Sequence, residues 1–151
     1  MQCILGANGT IGRELSQLLP QYTNAIRQVG RNPRKVNASD ETVTADLLDA
    51  QAVAKAVQGC DVAYLVAGLK YDTTVWQEQW PKVMRHTIDA CKRHGTRLVF
   101  FDNVYAYGKV DGPMTEDTPY APCSKKGEVR ARIATTLMEE VKRGELQAMI
   151  V

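Results

Sequence analysis

The chain has little of what marks the commonest special classes of protein. Its four cysteines, Cys3, Cys60, Cys91 and Cys123, stand far apart, and no two form a C-x-x-C pair. Neither a zinc framework nor a disulfide scaffold is indicated, and the expected compartment is a reducing cytoplasm. Histidine is almost absent: His86 and His94 lie eight residues apart, and His86 finds only Asp89 at helical spacing. Two potential ligands do not make a metal site, so none is expected. No apolar run approaches the length that spans a bilayer. The N-terminus has no charged segment followed by an apolar stretch, so no signal peptide is read. Charge of one sign is missing too. Nineteen basic against seventeen acidic residues leave a formal +2, too little to draw the chain to nucleic acid or an anionic membrane. What remains is ordinary: 151 residues, 44% apolar and 24% charged. That suits one domain over 1–151 with a sizeable core.

Apolar runs alternate with helical patterns. "QCILG", "NAIRQVG", "ETVTADL", "DVAYLVAG", "RLVFF" and "LQAMIV" read as six short strands. The fourth is nearly all apolar, as in a strand buried on both faces of a parallel sheet. Between them, "IGRELSQLL" carries Ile11, Leu15, Leu18 and Leu19 at helical spacing, and "DAQAVAKAVQGC" is an alanine-rich helix with Gly59 past its end. A long helix runs from about Val75 to His94, capped by Gly95. A last one covers "CSKKGEVRARIATTLMEEVKRG". Strand-helix alternation with short connections predicts a Rossmann-type, doubly wound α/β fold with a parallel sheet and right-handed crossovers. The sixth strand stops among apolar residues, which predicts a domain cut from a longer polypeptide.

The stretch "GANGTIG", Gly6 to Gly12, falls between the first strand and the first helix. Gly6 permits a tight turn, Gly9 lets backbone approach a pyrophosphate, and Gly12 lets the helix pack closely on the strand. The helix start, with Asn8, Thr10 and Ile11 around it, offers free N–H groups and partial positive charge to phosphates. No Gly-Lys-Ser/Thr follows, so this is not a P-loop. Another absence is informative. An NAD-preferring fold places a carboxylate about 20 residues on, for the ribose 2′-hydroxyl. Here that region reads "VGRNPRK", with Arg31, Arg34 and Lys35 and no carboxylate. A guanidinium suits a 2′-phosphate. The expected cofactor is NADP, with NAD as the alternative.

Taken in order, these motifs resemble the short-chain dehydrogenase/reductase superfamily, specifically its extended and atypical members, the NAD-dependent epimerase/dehydratase family. "ADLLD" fits the adenine contact, at Asp46 and Leu47. "VAG", Val66-Ala67-Gly68, fits the loop along the nicotinamide-side ribose. "FFDNVYAYG" and "EDTPYAPCSKKGE" fit the two catalytic stretches. The resemblance implies a Ser or Thr and a Tyr-x-x-x-Lys pair, in which the lysine lowers the tyrosine pKa and the tyrosine exchanges a proton with the substrate oxygen. The chain departs from it at all three places: Asn103, Cys123 and Gly127 occupy them. Shifting the register does not help: Tyr120 is followed by Ser124 at the fourth residue on, and Tyr105 is followed by Lys109 but in a loop rather than on a helix. The expected replacements are Asn103 as hydrogen-bond partner, Tyr105 as free hydroxyl and Lys126 as cation. Asp102 reads as a general base or, more simply, as a structural carboxylate. The resemblance also implies a homodimer through the helix around Trp80, Met84 and Ile88, and a small carbonyl or sugar-like substrate whose pocket is built largely by a C-terminal portion.

Two functions follow. One is an NAD(P)-dependent oxidoreductase or epimerase/dehydratase-like enzyme with a rearranged proton donor. The other is a non-catalytic NADP-binding sensor or regulatory protein of the same fold.

Overall fold

The structure, a computed structural model, describes all residues 1–151. The six strand runs pair into one parallel sheet: β1 (Gln2–Leu5), β2 (Ile26–Gly30), β3 (Glu41–Thr44), β4 (Val62–Leu65), β5 (Arg97–Phe100) and β6 (Ala148–Ile150). Their spatial order is β3-β2-β1-β4-β5-β6. Four helices connect them: α1 (Thr10–Leu18), α2 (Ala50–Val57), α3 (Thr73–His94) and α4 (Lys125–Lys142). β2 and β3 are joined by a loop alone. The chain therefore has the expected α/β Rossmann-type fold. The strand order reverses between β1 and β4, and in such sheets ligands bind outside the carboxyl ends at that point.

Right-handed crossovers place α1 on one face of the sheet and the other three helices on the opposite face. The core divides the same way. Cys3, Leu5, Leu65, Leu98 and Phe100 meet Val53, Val57, Val83, Ile88, Ile133 and Leu137 in one large cluster. A small cluster of Ile4, Ala7, Leu19 and Ile26 lies on the α1 side. Each fully buried Leu, Ile or Phe contributes about 1.5–3 kcal/mol. No helix is long and apolar enough to cross a membrane.

Local chemistry sets the helix ends. Asp49 Oδ1 accepts from the Gln51 and Ala52 amides at 2.8 and 3.1 Å, Asp72 Oδ1 from Val75 N at 3.0 Å, and Ser124 Oγ from Gly127 N at 3.0 Å. These caps explain why α3 begins at Thr73 rather than Val75, and α4 at Lys125 rather than Cys123. β3 stops at Thr44, short of Leu47, because the chain turns there into the loop edging the crevice. Pro81 sits inside α3 and cannot donate to the Gln77 carbonyl. The buried face of Trp76, Trp80, Val83, Met84 and Ile88 carries the helix through it.

That same face corrects one expectation. Trp80, Met84 and Ile88 are 2%, 1% and 0% exposed. The residues expected to join two subunits are core, pressed between the sheet and α4. Their apolar spacing reflects the domain's own packing, and this face is closed to a second subunit.

α3 and α4 are pinned by Glu140, a carboxylate only 3% exposed. It accepts from Arg85 Nη1 at 3.0 Å, Lys92 Nζ at 2.8 Å and Arg143 Nη2 at 2.7 Å. The hydrogen bond from Lys92, then that from Arg85, hold its carboxyl down at about 2, against an ordinary 4.5. A depressed acid stabilises the fold above its unfolded pKa and loses that contribution as pH falls toward its folded value. Glu140→Gln is expected to cost about 1.5–3 kcal/mol at pH 7, since its cationic partners can turn to water. Urea melts of both chains should differ most at pH 7 and converge toward pH 2.5. A gap independent of pH would contradict this account.

Candidate functional site

A groove of about 540 Å³ opens beyond the carboxyl ends of the central strands. Its floor begins at the first glycine turn, where Gly6 N and Ala7 N donate to the Val29 carbonyl at 3.0 and 3.1 Å. Gly6 has φ +97°, and a Cβ there would lie 2.5 Å from Ala67 Cα. Only glycine lets the loop after β1 touch the loop after β4 so closely. A Cβ on Gly12 would come 2.8 Å from Ala7 Cα, so α1 lies directly on that turn. No side chain caps α1 and no acid stands in its first turn. Its leading N–H groups are free to receive a pyrophosphate, and the residues present therefore fit a dinucleotide.

Of the residues singled out in the sequence, Gly6, Asn8, Gly9, Arg31, Asp46, Leu47, Ala67 and Gly68 line this groove. Thr10, Ile11, Gly12 and Val66 do not. Thr10 to Gly12 form the first turn of the helix behind it, and Val66 packs toward the small cluster under α1. Asn8 Nδ2 donates to the Asn32 carbonyl at 2.5 Å, tying the glycine loop to the basic loop. Asp46 Oδ1 accepts from Leu48 N at 3.0 Å, fixing the turn that follows β3. His86 places Nδ1 3.1 Å from the Leu47 carbonyl, to which it donates. Val75, Gln79 and Val83 of α3 close the groove's far wall. Sequence reading missed them because their spacing also suits a packing helix.

The proposed catalytic residues separate into two places. Asn103 borders a second groove of about 610 Å³ together with Asp102, Tyr107 and Tyr120. Its Oδ1 accepts from Tyr105 N at 3.1 Å and so caps a single 3-10 turn, Val104–Ala106. Tyr105 and Lys126 meet elsewhere, around Tyr71. Lys126 Nζ lies 4.1 Å from the Tyr71 ring centroid, and Trp76 stands 5.7 Å from Tyr71 and 6.2 Å from Tyr105. The neighbouring Tyr71 phenol pushes that of Tyr105 above the ordinary value, while Lys126 pulls it the other way. Tyr105 therefore keeps its proton at neutral pH. Gly127 leaves no room for a lysine: a Cβ there would lie 2.5 Å from the Tyr105 carbonyl oxygen. Cys123 is exposed.

Asp102 is a structural carboxylate. Its Oδ1 accepts from Asn103 N at 2.7 Å and from Arg130 Nε at 2.5 Å. Arg130 is 2% exposed, and its guanidinium carbon lies 4.4 Å from the Trp80 ring and 4.9 Å from that of Phe100. Burial pushes the Asp102 carboxyl up and the Arg130 guanidinium down, and their mutual attraction offsets only part of it. Among the side chains, no group of three or more potential ligands could hold a metal ion.

A parallel sheet with its crevice at the reversal point, a glycine turn and an uncapped helix start together define a dinucleotide-binding domain. The chain belongs to the NAD(P)H-binding family, whose model matches residues 6–141, and its cofactor is NAD(P). None of the curated protein sequences matches it. Solved structures share the fold. A mutated uronate dehydrogenase superposes with a TM-score of 0.86 at 20% identity, covering 97% of this chain and 56% of that one. The UDP-glucuronic acid 4-epimerase from Bacillus cereus in complex with NAD gives 0.82 at 20% identity, covering 99% and 55%. A short-chain dehydrogenase/reductase superfamily protein from Agrobacterium tumefaciens with bound NAD gives 0.84 at 23%, covering 99% and 48%. The chain thus spans about half the length of the structures it resembles.

Proposed function

We propose that this domain is the cofactor-holding part of an NADP-preferring oxidoreductase or epimerase-type enzyme acting on a sugar-like carbonyl or hydroxyl compound. The observation that carries the reading is the groove itself, with Arg31 and Asn32 at its adenosine end. Gly6, Gly9 and the start of α1 would hold the pyrophosphate. Asp46 and Leu47 would flank the adenine, and Ala67 and Gly68 the nicotinamide-side ribose. The bound nicotinamide supplies the hydride chemistry. Tyr105 holds a proton that it can give to a carbonyl oxygen, and Lys126, seated on the neighbouring Tyr71 ring, steadies the phenolate that remains. Asn103 positions substrate from the second groove.

A second reading, a nucleotide sensor without catalysis, is favoured by the packing at Gly127, where the 3-10 turn fills the place of a catalytic lysine. Calorimetric titration with NADPH, NADP, NADH and NAD, followed by single-turnover oxidation of NADPH with sugar aldehydes and uronic acids, separates the two. Arg31→Ala should weaken NADPH about 10- to 100-fold and leave NADH within about twofold. Tyr105→Phe should slow turnover by about 100-fold or more without moving NADPH affinity. Tight binding with no turnover on any substrate favours the sensor. Tighter binding of NADH than NADPH sinks the cofactor preference.

A further inference from the structure

The loop 31–40 that carries Arg31, Arg34 and Lys35 is held from beneath by a buried polar chain lying outside the groove. Ser16, Gln28 and Asp40 are 0%, 0% and 1% exposed. Ser16 Oγ of α1 lies 2.6 Å from the Gly12 carbonyl and 3.1 Å from Gln28 Oε1 of β2. Gln28 Nε2 donates to Asp40 Oδ2 at 2.7 Å. The same oxygen accepts from Val36 N at 3.0 Å and Asn37 N at 2.9 Å. Asn37 Nδ2 in turn donates to the Ser16 carbonyl at 2.8 Å. At its other end, the loop is tied to the glycine turn by Asn8.

We propose that Asp40 is the positioning residue for cofactor selectivity: acting through loop 31–40, it fixes Arg31 and its neighbours where a nucleotide 2′-phosphate is recognised. The inference rests on the NADP-preferring reading above. Asp40 is the only carboxylate in the loop, and it is turned fully inward. Its charge is consumed by two amide side chains, those of Gln28 and Asn37, and two backbone N–H groups, so the only charges the loop turns outward are cations. Burial pushes its carboxyl up, but the hydrogen bonds from Asn37 N, the Gln28 side chain and Val36 N together hold it below the ordinary range, and the anion is the species that accepts all of these bonds. A flexible cationic loop would attract any phosphate. A loop anchored at Asn32, Val36 and Asn37 presents its guanidiniums at one place, so less ordering entropy is lost on binding.

The test is calorimetry on the intact chain with NADPH, NADH, 2′,5′-ADP and 5′-AMP, for the wild type, Asp40→Ala and Asn37→Ala. Asp40→Ala should weaken NADPH and 2′,5′-ADP about tenfold or more, with NADH and 5′-AMP unchanged within about twofold. Asn37→Ala should show a smaller loss of the same kind. NADH binding certifies that each variant is folded. If Asp40→Ala does not fold, Asn37→Ala carries the same criterion. A parallel loss of NADPH and NADH would make the residues merely structural and overturn the proposal. So would an NADPH/NADH ratio in Asp40→Ala equal to that of a wild type that prefers NADPH, which would leave the cofactor reading standing. A wild type preferring NADH would overturn both.

Discussion

Asp102→Ala is expected to lower the unfolding free energy by about 3–5 kcal/mol. The reason is the cation it would strand. Arg130 is 2% exposed, and the carboxylate of Asp102 is the one anion that reaches it. The rings of Trp80, Phe100 and Trp76, at 4.4, 4.9 and 5.8 Å, would remain. Cation–π attraction is worth about 2 kcal/mol even when dry, which is less than the desolvation of an unpaired guanidinium. The double variant Asp102→Ala/Arg130→Met should recover much of the loss, because a buried pair replaced by apolar groups of similar volume is often neutral. Urea denaturation of the two single variants and the double variant provides the cycle. A loss under about 1 kcal/mol for Asp102→Ala would mean that water reaches Arg130 once the carboxylate is gone.

Gly6→Ala should remove cofactor binding with a smaller loss of stability. Two costs coincide at this residue. A φ of +97° disfavours any side chain, by about 1–2 kcal/mol. The added methyl would also meet Ala67 Cα at 2.5 Å, its N at 2.7 Å and its Cβ at 2.9 Å. Backbone cannot swing aside as a side chain can, so the loops after β1 and β4 must part, at about 1–3 kcal/mol more. Those two loops meet at the groove's floor. Calorimetry should show no NADPH or NADH binding while the circular dichroism of the chain is retained. Retention of wild-type affinity would show that the groove tolerates the displacement and that the phosphates bind elsewhere.

The parts of the molecule that were legible in the sequence are those whose causes are local. Strands followed from apolar runs and helix ends from Gly95 and the flanking polar residues. The glycine turn announced itself because a close approach of backbone admits no other residue. Pairings between distant elements were not legible. Lys126 finds Tyr71 only because β5 lies beside β4, which brings the starts of α3 and α4 together. Arg130 meets Asp102 for a similar reason, across the end of β5. Nothing in the i, i+4 spacing of Trp80, Met84 and Ile88 says whether an apolar stripe faces its own core or a second subunit, and it faced the core. Asp40 reads as one more loop charge until Gln28 is seen beneath it.

The strand order has a consequence in time. β1 is made first, yet it lies in the middle of the sheet, and its far edge pairs with β4, Leu5 against Leu65. Ribosomes add roughly 5–20 residues per second, so the first strand waits on the order of seconds, half bonded, before its second neighbour exists. The wall that Ala67 forms against Gly6 arrives later still. The nascent chain carries its glycine turn long before it has a groove, and a nucleotide that fills the groove can assist only the last steps of folding.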